Sequence, residues 1–295
     1  MERKIISEMA EVIRHNIEQR GLQAVNLKGE LQRSAESLVS AETVMILTGF
    51  VIRQVMKGET DGPIGAVSLA RVLEKLGKQV VMVTDAHSEQ MVQACCKTAG
   101  VKAKQVIVHE DEIEIQCHQL IELYEPSHVV AIERPGRAHD GRCYSMRGED
   151  LSDLVPNTDH LIEFARERGL VTIAVGDGGN EVGMGKIADI VKEHVPNGEK
   201  IGAIVATDYL IAAGVSNWGG HALGAAISVL TDKMLLHDEL LEIAMLSSLV
   251  ESGAVDGCSK KSETTVDGLS LEVNLEILNA LCTLVYEGLT SDQNK

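Results

Sequence analysis

Short runs of almost wholly apolar, β-favouring residues recur along this chain, and each opens into a polar or glycine-rich loop followed by a helical pattern. The runs are "TVMILTGF" (Thr43–Phe50), "QVVMVTDAHS" (Gln79–Ser88), "KQVIVHE" (Lys104–Glu110), "HVVAIERPGR" (His128–Arg137), "LVTIAVGDGGN" (Leu170–Asn180) and "GAIVATDYL" (Gly202–Leu210). Strands with no polar face are buried on both sides, which means a mainly parallel sheet with helices on both faces. The intervening segments supply those helices: "AVSLARVLEKLG" ends at Gly77, "SEQMVQACCKTAG" has Ser88 as its candidate cap, and "EIEIQCHQLIELYEP" stops at Pro126. Residues 1–40 read as a helical N-terminal segment with a break near "RGLQAVNLKGE", and residues 221–295 as a mostly helical C-terminal part. The expectation is a single α/β domain over residues 1–295, because no linker, repeat or low-complexity tract interrupts the pattern.

Composition narrows the function classes. The formal charge is −17 and aromatics make up only 2% of the 295 residues. An acidic surface repels phosphate backbones and anionic lipid, and so few aromatics make a poor stacking platform, so neither nucleic acid nor membrane is an expected partner. The six cysteines form no CxxC pair, which disfavours a zinc ribbon or a disulfide framework and suits a reducing cytoplasm. "MERKIISEMAEVIRHNIEQR" is an amphipathic helix, acidic and without the apolar block of a leader.

In a parallel sheet, right-handed crossovers bring every strand-to-helix loop to one edge, and ligands bind there. Those loops carry Asp61, Asp85, Glu133, Asp140, Asp177, Glu181 and Asp208, together with Asn180 and Asn217. They also carry four arginines in "RPGRAHDGRCYSMR" (Arg134–Arg147). A guanidinium grips a carboxylate through two parallel hydrogen bonds, so this segment is a candidate anion clamp; equally, it pairs with Asp140, Glu149 and Asp150 and orders a long loop. The loop "GDGGNEVGMGK" (Gly176–Lys186) fits neither G-x-G-x-x-G nor the Walker pattern, so no dinucleotide or nucleoside-triphosphate site is supported. Its backbone N–H groups, at Gly178 and Gly179 above all, suit a carboxylate or an oxyanion, while Asp177 and Glu181 suit a cation. His87, His139 and His221 are expected in loops, where they can move protons.

Together, "DGPIGA", "AIERPGRAHDGRCYSMRG", "GDGGNEVGMGK", "ATDYLIAAGVSNWGG" and the late "SGAVDG…TVDGL" resemble the D-glutamate cyclase family, in its C-terminal, cyclase-like domain, from about Thr43 to Leu269. The resemblance is to the stand-alone bacterial form; the mitochondrial animal members carry a further N-terminal domain. It implies a hydro-lyase that reversibly dehydrates D-glutamate to 5-oxo-D-proline. Two alternatives stay open: a lyase or lactam-forming enzyme on another small amino or hydroxy acid, and a non-catalytic sensor of a small dicarboxylate. That chemistry needs a carboxylate base, an acid for the departing oxygen, an oxyanion partner and a clamp for the second carboxylate. The residue types nominate Asp177 or Glu181, with Glu133, Asp140 and Asp208 as further candidates, for acid–base work. Arg134 and Arg137 are nominated for the clamp, and Gly178, Gly179, Asn180 and Asn217 for the oxyanion side. A divalent cation, Mg²⁺ or Mn²⁺, held by Asp177, Glu181 and Glu133 is an alternative, because hard oxygen ligands suit both ions. A homo-oligomer is also open, since apolar stretches such as "LLEIAMLSSLV" suit a partner as well as a core.

Overall fold

The computed structural model describes residues 1–291. In chain order the elements are α1 (Glu2–Val12), a 3₁₀ turn (Ile17–Arg20), α2 (Glu30–Val39), β1 (Thr43–Thr48), β2 (Val51–Ile52), β3 (Lys57–Gly58), α3 (Pro63–Lys75), β4 (Gln79–Asp85), α4 (Glu89–Ala99), β5 (Lys104–Val108), α5 (Ile113–Tyr124), β6 (His128–Ile132), α6 (Asp159–Glu167), β7 (Val171–Gly176), a second 3₁₀ turn (Gly185–Ile187), α7 (Ala188–His194), α8 (Gly198–Ile201), β8 (Tyr209–Ala212), α9 (Ser216–Leu230), α10 (Glu239–Glu251) and α11 (Leu271–Ser291). Six strands form one sheet in the order β5-β4-β1-β6-β7-β8, and every pairing in it is parallel. The mainly parallel α/β architecture with helical ends therefore holds.

Period-two geometry sends alternate side chains to opposite faces. In β1, Val44 and Ile46 enter a core with α3, α4, α9 and α10, whereas Met45 and Leu47 enter a second core with α5 and α6. Both faces are dry, which is why the strands read as unbroken apolar runs. The chain starts at β1, steps outward to β4 and β5, and returns across β1 to β6 before stepping outward the other way. The strand order thus reverses between β1 and β6, and the loops leaving their carboxyl ends diverge to leave a crevice.

Two departures from the sequence reading bear on the site. The last strand is not "GAIVATDYL" but Tyr209–Ala212, one apolar run further on. Residues 203–206 instead run past the 183–185 turn, where Val205 O accepts from both Gly183 and Gly185 N–H. Asp208 consequently precedes β8 and bonds Thr172 N and Oγ1 at the amino end of β7. The apolar face of "LLEIAMLSSLV" is covered within the chain: Met245, Leu246 and Leu249 are buried in the main core. Among the described residues no helix is long and apolar enough to cross a membrane.

Candidate active site

Five carboxylates, four of them buried and that of Asp267 partly so, converge at the carboxyl edge of the sheet. Glu133 follows β6 and Asp177 follows β7. Glu59 and Asp61 lie between β3 and α3, and Asp267 sits in the loop before α11. Among them reaches one guanidinium, that of Arg20, from the first 3₁₀ turn. It donates to Asp177 Oδ2 at 2.7 Å, to Asp267, and through Nε to the carbonyl of Gly214 at 3.1 Å. Arg20, Glu59, Glu133, Asp177, Asn180 and Asp267 line a pocket of about 110 Å³, with Arg53 and Arg147 also on its wall. A drug-sized ligand needs roughly 300 Å³ or more, so this pocket suits a metabolite of a few heavy atoms and not a dinucleotide. A larger groove of about 690 Å³ runs along α1 and α2, but it gathers no comparable set of acids.

The local structure is built to hold these groups. Asp61 caps α9: its carboxylate accepts from the backbone of Ser216 (2.9 Å) and Asn217 (2.8 Å), placing an acid where the helix dipole favours it. Gly65 of α3 faces Gly220 of α9, and a Cβ on Gly220 would come within 2.6 Å of the Gly65 backbone. That close crossing lets Asn217 Oδ1 reach Gly65 N (2.8 Å) while its Nδ2 donates to the Thr60 carbonyl. Glu133 and Asp267 both have positive φ, 46° and 53°. Side chains other than glycine rarely take that conformation, and such strain concentrates at functional sites. Ser216 Oγ donates to Glu133 Oε2 at 2.6 Å. Asp256 fastens the loop carrying Asp267 by accepting from Cys258 N, Ser259 N, Gly268 N and Thr265 Oγ1.

So many acids around one cation cannot all stay ionised. Burial, then the charge of Asp267, pushes Asp61 up to about 7 against the pull of the Asn217 and Ser216 N–H groups. Burial also drives Glu133 well above the carboxylate range, with Glu181 and Asp61 adding to it, and Glu59 likewise with Asp267 and Asp61. Asp177 rises by burial too, but here Arg20 opposes the shift. Burial disfavours the charge on Arg20, yet Asp177 and Asp267 outweigh it and lock the guanidinium in its protonated form. The pocket therefore gathers carboxyl groups that burial and mutual repulsion push toward the protonated form, Asp177 among them, around one fixed cation that pulls on Asp177 in the opposite direction.

The sequence-nominated residues divide sharply. Glu133, Asp177, Glu181 and Asn180 come together; ligand oxygens of Glu133, Asp177 and Glu181 lie within 4.8 Å of one another, as do those of Asp61, Asp177 and Asp267. Glu181, however, turns back into its own loop, accepting from Asp177 N (2.9 Å), Gly178 N (2.6 Å) and Gly179 N (2.7 Å). The N–H cradle read as an oxyanion site is filled by this carboxylate. Gly179, with φ 93°, makes the cradle's turn. Asn217 spends its amide on Gly65 and Thr60. Arg134 is completely enclosed, paired with Asp85 and bonded to Thr158 Oγ1 and to the carbonyls of Gly49 and Pro156. Arg137 points to α6, where it pairs with Glu163 and Asp159. Asp140 is exposed and accepts from Tyr144 Oη at 2.5 Å, and Asp208 is at the sheet's opposite end. Neither Arg134 nor Arg137 lines the pocket. The cations that do are Arg20, Arg53 and Arg147, of which Arg147 has no carboxylate within ion-pair distance among the described residues. Arg20 and Asp267 escaped nomination because they come from segments outside the strand–loop–helix rhythm, whereas Glu59 stands two residues before Asp61 in a strand-end loop and was passed over. The repeated "VDG" at Val255–Gly257 and Val266–Gly268 was the available signal.

A doubly wound α/β protein with a small, acid-rich pocket at its topological switch point has its candidate small-molecule site there. The chain belongs to the D-glutamate cyclase-like family: the model of that family's C-terminal domain matches residues 9–282. It is 37% identical over 225 residues to the human protein "D-glutamate cyclase, mitochondrial". That match covers 72% of this chain and 36% of the human one, so the chain spans little more than a third of its relative.

Proposed function

We propose that the chain interconverts D-glutamate and 5-oxo-D-proline, forming or opening the lactam with loss or gain of water. The observation that carries this reading is the buried acid cluster with Arg20 fixed among it, in a pocket sized for one small amino acid. The choice of substrate and of its hand rests on the family and on the name of the human relative. Lactam formation requires the ammonium to shed two protons in all and the departing side-chain oxygen to collect two. Asp177, whose ionised form the contact with Arg20 favours against burial, takes the first proton so that the amine can attack the side-chain carboxyl carbon. The guanidinium of Arg20 faces the oxyanion that forms. Glu133, protonated through burial, delivers a proton to the leaving oxygen, which departs as water, and the surrounding carboxyls relay the second proton. Arg147, a wall guanidinium with no carboxylate partner among the described residues, clamps the α-carboxylate. Six free cysteines, four of them buried, fit a reducing compartment such as the cytoplasm.

The test is direct. The protein is incubated separately with D-glutamate, L-glutamate and each enantiomer of 5-oxoproline, with and without Mg²⁺ or Mn²⁺, and the products are resolved by chiral chromatography. Interconversion confined to the D pair supports the proposal. Turnover only with an added cation means a metal at one of the two oxygen clusters that share Asp177, with either Asp61 and Asp267 or Glu133 and Glu181. Thermal stabilisation by these ligands without turnover means a sensor and rejects the lyase reading.

A further inference from the structure

A second polar cluster lies in the main core, and the proposed reaction makes no use of it. His221 does not sit in a loop, as its glycine-rich surroundings suggest; it lies within α9 and is fully buried. His237 precedes α10 and Glu242 lies in its first turn, and both are buried. One ligand atom from each of the three falls within 4.8 Å of the others. His237 Nε2 is 2.6 Å from Glu242 Oε2, and His221 Nε2 is 3.5 Å from the same oxygen. Both ring nitrogens of His221 lack a hydrogen-bond partner. A completely buried imidazole with neither nitrogen satisfied is a costly thing to keep, and one carboxylate beside it is costlier unless a cation neutralises it.

We propose that His221, His237 and Glu242 bind a divalent transition metal, of which Zn²⁺ fits best: two imidazoles and a carboxylate form a ligand set that Zn²⁺ accepts and that Mg²⁺ and Ca²⁺ avoid. The outer shell agrees. His237 Nδ1 lies 3.0 Å from Ser68 Oγ on α3, the kind of second contact that fixes a ligating imidazole's tautomer and frees the other nitrogen for the metal. The metal would tie α9 to α10. One turn back along α9 are Ser216 and Asn217, which hold Glu133 and Asp61, so the site would brace the helix that orders the acidic pocket without entering the chemistry. This inference stands whether or not the lactam reaction is the right one.

The test uses full-length protein purified without a histidine tag and passed through a chelating buffer. Elemental analysis should find about one Zn²⁺ per chain. After stripping in mild denaturant and reloading with Co²⁺, intense visible bands should report four-coordinate nitrogen ligation. The wild-type spectrum thus decides the matter even if the variants fold poorly. His221→Gln and Glu242→Gln should lose the metal and melt at lower temperature, whereas Asp177→Asn should retain it. Three results would overturn the site: metal-free protein that binds no Co²⁺, the pale six-coordinate spectrum of oxygen ligands, or metal loss in Asp177→Asn but not in His221→Gln.

Discussion

Replacing Glu181 with alanine isolates the role that the structure gives this residue. The side chain accepts three backbone N–H groups, those of Asp177, Gly178 and Gly179, at 2.9, 2.6 and 2.7 Å. All three lie in the buried loop after β7. Each buried donor left unpaired costs about 1–3 kcal/mol, so Glu181→Ala should lose about 3 kcal/mol or more even after some water enters. With a urea slope of about 3 kcal/mol/M, the unfolding midpoint should fall by about 1 M. Glu181→Gln keeps one acceptor oxygen, which serves one side of the cradle, so its loss should be about 1–3 kcal/mol. Glu181 also raises Glu133, so the limb of the pH–rate profile that reports Glu133 should move to lower pH in both variants. Equilibrium urea unfolding followed by circular dichroism reads the first effect. A Glu181→Ala protein within about 1 kcal/mol of wild type would refute the claim that this carboxylate fills the loop's own N–H cradle.

The arginines give a paired contrast. Arg134→Met leaves Asp85 uncompensated in the core and should cost about 3–5 kcal/mol, read by thermal or urea unfolding, whereas Arg137→Ala should keep near-normal turnover because its guanidinium faces α6. Arg147→Ala should raise KM with little change in kcat or stability, measured by steady-state kinetics; an unchanged KM removes Arg147 from the substrate clamp. Stability should also depend on pH. Asp61 and Asp159 both titrate at about 7 in the folded state, above their unfolded value. The native state therefore binds more protons than the unfolded chain between about pH 4 and 7, so their contribution is complete below that window and is lost as pH rises through 7. Melting temperature should accordingly fall from about pH 4 to 7 and level off above it, and Asp159→Asn should flatten that slope.

Hydrophobic periodicity carried the sheet because both faces of its inner strands are dry, so that they read as unbroken apolar runs. It failed at β8 because "AIVA" and "YLIA" are equally apolar, and only pairing with β7 and the glycine turn at 183–185 decides between them. That shift moved Asp208 to the wrong end of the sheet. Charge type did not disclose partner: Arg134 and Arg137 stand beside candidate acids in sequence, yet each finds a carboxylate elsewhere, at Asp85 and on α6. Asp177 and Glu133 follow directly from strand ends, and the structure puts them in one pocket. Arg20 and Asp267 arrive from opposite ends of the chain, a separation of 247 residues that local reading does not bridge.

The most direct test of the central claim is the rate of D-glutamate and 5-oxo-D-proline interconversion by Asp177→Asn and Glu133→Gln, each first shown to be folded. If the buried pair supplies base and acid, each variant should lose roughly 10²-fold or more of the wild-type rate. Near-normal rates in both would place the chemistry outside this pocket.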